Sequence, residues 1–158
     1  MTLFLDACAL IYRFEGAAKF RAAASALIAR LTAGQTVVEL AVSRLSVLEC
    51  RVKPLRDGDA ALLKRYDNFF SSVHVVELSP AVVDLATDLR VRHGLKTPDA
   101  LQAACALSLQ GDVFFVTADL AFSKISALDV RLIKPAVAAT GTAAQGQRMP
   151  PTRARKGG

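Results

Sequence analysis

The sequence predicts an α/β fold: a three-layer sandwich in which helices cover both faces of a mainly parallel sheet. Short runs of apolar, β-branched or aromatic residues alternate with longer segments of helical character, as strands and crossover helices do in α/β domains. The apolar runs are mostly continuous, which is typical of strands covered on both faces. A chain of 158 residues that is 53% hydrophobic suffices for one domain with a substantial core.

Five runs are predicted strands because they are short, rich in β-branched or aromatic residues and separated by helical segments. In chain order they are Thr2–Leu5, Thr36–Val42, Val73–Glu77, Val113–Val116 and Val130–Ile133.

The segments between these runs carry signals for helix ends. Ser79 and Thr97 are predicted N-caps, each followed by a proline at the first helical position. The helix that contains Glu49 is predicted to stop ahead of Pro54, because proline interrupts helices. The predicted helices are Ala17–Leu31, Ser43–Arg51, Asp59–Ser71, Pro80–Arg92 and Thr97–Gln110.

Cysteine usage and hydropathy exclude several classes of protein. Cys8, Cys50 and Cys105 are an odd number of thiols without close spacing, which fits small buried side chains in a reducing cytoplasm. Without a C-x-x-C pair, and with two histidines far apart in sequence, a zinc site is not expected. No apolar stretch of about 18 residues is present, and Asp6 interrupts the segment that would form a signal peptide. We therefore expect a cytoplasmic protein without a membrane partner.

The last 23 residues differ from the rest of the chain. Residues 136–158 contain no acid and include Arg148, Arg153, Arg155 and Lys156, so they carry four of the six net positive charges. They lack a periodic apolar pattern, which predicts a disordered basic tail after a domain of residues 1–135. Such a tail would either be solvated or act as a non-specific arm for nucleic-acid phosphates.

Four carboxylates lie where the carboxyl edge of such a sheet would gather them. Asp6 ends the first predicted strand, and Asp119 lies just past the fourth. Glu49 and Asp99 lie on predicted helices, Asp99 in a first turn. Open α/β sheets place their active sites at this edge, so we expect the four acids to form one site.

Carboxylates brought together in this way favour a divalent metal. A pair of unit charges about 4 Å apart repels by about 4 kcal/mol at an effective dielectric constant of 20. Cations remove this repulsion, and ligands that are all oxygen favour Mg²⁺ or Mn²⁺ over Zn²⁺. A carboxylate-held metal activates water and stabilises the leaving oxygen of a phosphodiester. The sequence therefore predicts phosphoryl transfer or phosphodiester hydrolysis, with flanking phosphates held by Arg44, Arg92, Lys96 and Lys124.

Each acid also has an ordinary structural explanation. Asp6 would serve as the N-cap of a helix that begins directly after it, and Asp99 would interact with a helix dipole. Asp119 would be a turn residue. Glu49 would face solvent, although both of its sequence neighbours are apolar and favour its burial.

Four motifs occur in a characteristic order, and the third is the most specific. They are Phe4-Leu5-Asp6 with Ala9-Leu10-Ile11; Ser43-Arg44-Leu45 with Leu48-Glu49; Thr97-Pro98-Asp99-Ala100-Leu101-Gln102-Ala103-Ala104; and Val116-Thr117-Ala118-Asp119 with Phe122. In order and spacing, residues 1–135 resemble the PIN-domain ribonucleases, and among them the VapC toxins of bacterial toxin–antitoxin pairs.

The resemblance implies a five-stranded parallel sheet flanked by helices, and an acidic pocket that binds Mg²⁺ or Mn²⁺ and cleaves single-stranded RNA. By position, Asp6, Asp99 and Asp119 would be metal ligands, Asp119 directly or through water. Glu49 would be a catalytic residue that orients the water or binds a second metal, and Thr117 would support the site by hydrogen bonding. VapC-like proteins usually dimerise and are silenced by a cognate antitoxin, so both partners are expected here.

The chain departs from the family at Ala118 and Ala121, where many relatives have Asn and Asp. These changes remove polar groups beside the metal and weaken the expectation of two bound metals. They leave open a non-catalytic PIN domain that binds RNA or a partner. The apolar side chains Ile11, Tyr12 and Phe14 would line a partner groove or belong to the core. A phosphatase of the haloacid-dehalogenase type is less consistent, because the second aspartate of that motif is missing.

Overall fold

A five-stranded sheet, parallel throughout, forms the centre of the molecule. The computed structural model describes residues 1–135, so the predicted tail 136–158 lies outside the described residues. The strands are β1 (Thr2–Leu5), β2 (Glu39–Ser43), β3 (His74–Val76), β4 (Val113–Thr117) and β5 (Asp129–Leu132), in the order β3-β2-β1-β4-β5. Every pairing is parallel, which confirms the predicted sheet and its five strands.

Six α-helices and one 3₁₀ helix connect the strands. They are α1 (Ala7–Phe14), α2 (Ala18–Thr32), α3 (Arg44–Asp57), α4 (Ala60–Phe70), α5 (Pro80–His93) and α6 (Thr97–Leu107), with the 3₁₀ helix at Leu120–Lys124. The predicted cap at Ser79 is confirmed: its side chain accepts a hydrogen bond from the Val82 N–H, and Pro80 begins α5. Within residues 1–135, none of the helices has the length and apolar character that crossing a membrane requires.

Helices cover both faces of the sheet, as predicted. Leu3, Leu5 and Val42 join one apolar cluster with side chains of α1 to α4. Phe4 and Phe115 join the other with side chains of α5 and α6. Phe4 and Phe115 stack with their ring centroids 5.5 Å apart, a contact typically worth about 0.5–1.5 kcal/mol beyond the buried area. Because successive residues of β1 point to opposite faces, this short strand anchors both layers.

Some predicted boundaries are wrong. The second strand begins at Glu39 rather than Thr36. Helix α3 does not stop ahead of Pro54 but continues to Asp57. Pro54 is buried near the end of the helix, and its carbonyl accepts N–H groups from Gly58 and Asp59. The helix therefore continues through Pro54 although the proline has no N–H to donate to the carbonyl of Cys50.

Helix α6 also differs from its prediction at both ends. Lys96 occupies the N-cap position, and Thr97 is the first helical residue rather than the cap. The helix ends at Leu107 instead of Gln110. Asp99 remains in the first turn, so its predicted position next to the carboxyl edge of the sheet is unchanged.

The strand order creates one reversal of chain progression. From β1 the chain moves outwards to β2 and β3, then returns to β4 on the other side of β1 and continues to β5. In sheets of this kind, the crevice at the carboxyl ends of the two strands that flank the reversal is the preferred ligand site. Here these strands are β1 and β4, which are followed by Asp6 and Asp119 respectively.

Candidate active site

Asp6 is the buried acid at the centre of this edge. It occupies the N-cap position of α1, but its side chain makes no capping hydrogen bond to the helix. Instead its Oδ2 accepts hydrogen bonds from Thr117 Oγ1 at 2.8 Å and from Cys8 Sγ at 3.0 Å. The side chain therefore faces β4, and a simple capping role does not explain where it points.

Burial dominates the electrostatics of Asp6, of which only 7% is exposed. Loss of solvation raises the pKa of the carboxyl above its ordinary value, and the negative charge of Asp99 adds to this effect. The hydrogen bonds from Cys8 and Thr117 act in the opposite direction, because they stabilise the ionised form. A backbone hydrogen bond from Ala7 acts with these two donors, but burial outweighs all three, so the net effect raises the pKa of Asp6.

Thr117 and Cys8 connect Asp6 to the loop after β4. Thr117 is fully buried, and its hydroxyl also accepts the Asp119 N–H at 3.0 Å. Cys8 Sγ accepts the Ala118 N–H at 3.2 Å. Burial raises the pKa of the Cys8 thiol to about 12, so the thiol stays protonated and can donate to Asp6. Cys8 was expected only as a small buried side chain; its hydrogen bonds were not predicted.

Glu49 lies on α3 and is partly buried. Its Oε2 accepts a hydrogen bond from Gln102 Nε2 at 3.1 Å. Burial raises the pKa of Glu49, and the charges of Asp6 and Asp99 raise it further. Of its two apolar neighbours in sequence, Cys50 is buried and Leu48 is 59% exposed. Only Cys50 therefore supports the expected burial of Glu49.

Asp99 lies in the first turn of α6 and is partly buried. Burial raises its pKa, and the charge of Asp119 contributes in the same direction. Lys96 and Lys124 oppose these effects. The charge of Asp99 in turn raises the pKa values of Asp6 and Glu49, although these acids belong to different elements.

Asp119 is the exposed member of the predicted set. Its Oδ1 accepts the Ala121 N–H at 2.7 Å, which makes it the N-cap of the 3₁₀ helix. These contacts agree with the alternative explanation that Asp119 is an ordinary turn residue. Its charge nevertheless reaches Asp99. Ala118 and Ala121 contribute only backbone N–H groups to the hydrogen bonds of this loop.

The donor set suits a hard divalent cation. All four acids offer oxygen ligands, which Mg²⁺ and Mn²⁺ prefer. Asp6, Glu49 and Asp99 share raised pKa values with a common electrostatic contribution from neighbouring acids, and a bound cation would reverse this effect. Among residues 1–135, however, no three acid, histidine or cysteine side chains already form a metal-binding group. The donor chemistry fits, whereas binding would require the side chains to move closer.

The structure separates the four predicted phosphate-binding cations into two pairs. Arg44 forms an ion pair with Glu77, and Arg92 with Asp88. Lys96 and Lys124 are exposed and have no ion-pair partner within residues 1–135. Both influence Asp99 electrostatically, so their charges are close to the acids and available to a ligand.

Of the two explanations for the apolar side chains near Asp6, a partner groove or the core, their contacts support the core. Ile11, Tyr12 and Phe14 are partly buried and pack against the cluster beneath α1, and Phe14 contacts the ring of Tyr66 at a centroid distance of 4.9 Å. Ring contacts of this kind are typical of packed interiors.

An exposed apolar stripe, which sequence reasoning missed, lies on α3 instead. Leu48, Val52 and Leu55 are 59%, 52% and 62% exposed, and their spacing places them on one helical face. This face is opposite the buried side of α3, which includes Val47 and Cys50.

A buried polar network behind Glu49 was also missed. Ser43 Oγ donates to Gln102 Oε1 at 2.7 Å, and the two residues are 59 positions apart in sequence. Ser46 joins both of them. The only sequence signal is a glutamine within the otherwise apolar stretch of α6, which does not identify its partners.

Solved structures with the same fold come from toxin–antitoxin complexes. One is VapBC2 from Rickettsia felis bound to a DNA fragment from the promoter, with a TM-score of 0.65, 16% sequence identity, and 85% of this chain and 100% of that chain covered. A toxin–antitoxin complex from Klebsiella pneumoniae has a TM-score of 0.65 and 21% sequence identity, with 86% of this chain and 100% of that chain covered. VapBC-1 from nontypeable Haemophilus influenzae has a TM-score of 0.64 and 16% sequence identity, with 84% of this chain and 98% of that chain covered. At these identities the similarity shows the fold.

The family comparison agrees with the fold. A search among curated proteins gives no match. The PIN domain family matches residues 3–128, a span that begins in β1, ends beyond the 3₁₀ helix and includes all four acids. Match and fold together place this chain in the PIN domain family.

Proposed function

We propose that this protein is a metal-dependent endoribonuclease that hydrolyses phosphodiester bonds in single-stranded RNA, acting as the toxin of a toxin–antitoxin pair. One observation carries the proposal. Asp6 is buried at the reversal point of a PIN-family sheet, and its charge is coupled to those of Glu49 and Asp99 on two other elements. Buried, mutually interacting acids in such a position are typical of catalytic sites.

The acids have different proposed roles. Asp6 and Asp99 would be the principal ligands of Mg²⁺ or Mn²⁺, and Asp119 would contribute directly or through water. When bound, the metal would supply Lewis-acid activation and neutralise charge at the phosphate. Thr117 and Cys8 hold the Asp6 carboxylate towards β4. Glu49, with its pKa raised by burial, would orient the attacking water and accept its proton.

The substrate proposal rests on the available cations. The charges of Lys96 and Lys124 act to lower the pKa of Asp99. These two lysines would bind the phosphates on either side of the bond that is cut. Lysine binds phosphate as a point charge and carries no sequence information. The phosphate backbone, rather than a particular base sequence, is therefore the proposed determinant of binding.

Substitution of the two principal ligands tests the proposal. Asp6→Asn and Asp99→Asn should abolish Mg²⁺- or Mn²⁺-dependent cleavage of single-stranded RNA, because each removes a charged oxygen ligand from the site. The matched control is Asp84→Asn, an exposed acid on α5, which should cleave like the wild type. Circular dichroism establishes that the variants are folded. If both site variants cleave RNA at the wild-type rate, the assignment is wrong.

A second candidate is a non-catalytic PIN domain that binds RNA or a partner protein. It is favoured by the Asp119 side chain, which is engaged in capping, and by the absence of a compact three-ligand group within residues 1–135. This alternative predicts that RNA is retained in a binding assay while Mg²⁺ and Mn²⁺ produce no cleavage products. The same cleavage assay therefore separates the two functions.

The partner proposal concerns the exposed stripe on α3. We propose that it binds the cognate antitoxin through an amphipathic segment with acidic flanks. The stripe is bordered by Arg51, Lys53 and Arg56, which now pair with acids of this chain. Acidic flanks of the bound segment would complement these cations, and its apolar centre would cover the exposed stripe. A segment bound there would lie over the helix that carries Glu49.

Co-expression with the product of a short upstream reading frame tests this surface. Leu55→Asp should prevent co-purification of the antitoxin because it places a charge in the apolar stripe. Val91→Asp, at an 81% exposed position on α5, is the control and should retain the partner. Retention by Leu55→Asp would exclude the stripe as the binding surface. Light scattering of the protein alone tests the proposed homodimer.

A further inference from the structure

Three polar side chains form a network in the interior between β2, α3 and α6. Ser43 and Ser46 are completely buried, and Gln102 is 2% exposed. Buried polar groups destabilise a fold unless their hydrogen bonds are satisfied. Gln102 lies among the buried alanines of α6, so the presence of a glutamine there calls for a specific explanation.

The hydrogen bonds identify the donor and acceptor atoms of the network. Ser43 Oγ donates to Gln102 Oε1 at 2.7 Å, and Ser46 Oγ lies 3.2 Å from the same oxygen. On the other side of the amide, Gln102 Nε2 is 3.0 Å from Ser46 Oγ and 3.1 Å from Glu49 Oε2. The amide nitrogen is therefore the donor to Glu49, the amide oxygen accepts from Ser43, and the Ser46 hydroxyl contacts both ends of the amide.

The two serines hold the amide in place, and its nitrogen remains a donor to Glu49. The Ser43 side chain is itself held in place because it accepts the Ser46 N–H at 2.9 Å as the N-cap of α3. Within residues 1–135, the hydrogen bond from Gln102 is the single side-chain or backbone donor to the Glu49 carboxylate. Glu49 therefore depends on Gln102 for its orientation.

We propose that Gln102 is a positioning residue that holds the Glu49 carboxylate towards the acidic site through an amide anchored by Ser43 and Ser46. The catalytic consequence rests on the proposed ribonuclease function, whereas the contact itself does not. Three side chains that resemble glutamine in size or shape cannot make the same contacts. Methionine has a similar length but no donor, asparagine is shorter by one methylene, and glutamate would place a negative charge against Glu49.

A double-mutant cycle on the full chain tests the proposal. Gln102→Met should lower kcat for RNA cleavage by about 10- to 100-fold with a much smaller change in KM, because the loss concerns orientation rather than substrate binding. In a Glu49→Ala background the same substitution should cause no further loss of kcat. An equal loss in both backgrounds, or an unchanged kcat in the single variant, would overturn the proposal.

The isosteric variant Gln102→Glu guards against a packing defect in Gln102→Met. It keeps the side-chain volume and an oxygen for both serine hydroxyls, but it places a buried carboxyl group against Glu49, so it should lower the thermal midpoint and lose activity in the same way. Adding Glu49→Gln to it restores an amide–carboxylate hydrogen bond in the reversed direction and should recover the thermal midpoint without recovering kcat. Ser108→Ala, at the exposed C-terminal end of the same helix, is the control and should match the wild type.

Thermal unfolding in EDTA distinguishes failure of this proposal from failure of the ribonuclease assignment. Gln102→Met should lower the unfolding midpoint more in the wild-type background than in Glu49→Ala, because only the former leaves a partly buried carboxylate without a donor. If the wild type cleaves no RNA but this coupling is observed, the contact stands and the nuclease proposal fails. Additive midpoint shifts would show that Gln102 does not act on Glu49.

Discussion

Thr117 is the residue on which the position of Asp6 depends most directly. Its buried hydroxyl donates to Asp6 and accepts the Asp119 N–H, so one side chain connects the acid after β1 with the loop after β4. A hydroxyl is needed for this because it both donates and accepts. Cys8 supplies a second, weaker donor to the same carboxylate oxygen. Together they offset part of the cost of burying the ionised carboxylate.

Replacing Thr117 by valine should therefore affect stability and activity together. The substitution keeps the shape but leaves a buried carboxylate with one donor fewer, which costs about 1–3 kcal/mol. The free energy of unfolding measured in urea should fall by this amount, and RNA cleavage should fall about 10- to 100-fold. The control is Thr87→Val on α5, where the hydroxyl binds only a carbonyl of its own helix. Wild-type cleavage by Thr117→Val would show that Asp6 needs no such support.

At the scale of elements, the start of α6 and the 3₁₀ helix form the basic border of the site. Lys96 is the N-cap residue of α6, and Lys124 ends the 3₁₀ helix. Neither is engaged by an acid in an ion pair within residues 1–135. Arg92, only four residues before Lys96, is paired with Asp88 at 2.7 Å. Position in sequence alone would have treated these cations as equivalent.

Salt dependence of RNA binding measures this difference. Lys96→Gln and Lys124→Gln should each reduce the slope of log affinity against log salt concentration by about 0.7, the contribution of one phosphate contact on single-stranded nucleic acid. Arg92→Gln should leave the slope nearly unchanged. Fluorescence anisotropy with a labelled RNA in EDTA gives the slope without cleavage. Equal slopes for all three variants and the wild type would exclude the two lysines as phosphate-binding residues.

The same elements show which features can be predicted from the sequence. The start of α5 follows from local chemistry, because Ser79 and Pro80 are a cap and a first helical residue. The end of α3 does not, since the helix continues through a buried Pro54 to Asp57 despite the local signal of proline. Asp6 and Asp99 are predictable as site candidates from their places at element ends. Gln102 is not, because its partners are 53 to 59 residues away in sequence.

At the scale of the whole molecule, the acidic site makes the stability of the fold depend on pH and on metal binding. Burial and neighbouring charges raise the pKa values of Asp6, Glu49 and Asp99 in the folded protein. The folded protein therefore binds protons more readily than the unfolded chain, whose carboxyls titrate near pH 4. The resulting stability is fully present below about pH 4 and is lost as pH rises through the folded pKa values. In the absence of metal, these acids destabilise the fold at neutral pH.

A bound cation should reverse this destabilisation. Mn²⁺ at about one hundred times its dissociation constant stabilises a folded protein by about 2.7 kcal/mol, which corresponds to a rise of roughly 5–10 °C in the thermal midpoint of a chain of this size. Because metal and protons compete for the same oxygens, the rise should be larger near pH 7.5 than near pH 5. Differential scanning calorimetry at both pH values, with EDTA as reference, measures it. Asp6→Asn and Asp99→Asn should lose the rise, whereas Asp84→Asn should keep it, and equal rises in all four proteins would mean that the cation binds elsewhere. The experiment needs no RNA, so it tests the metal site independently of the activity proposed for it.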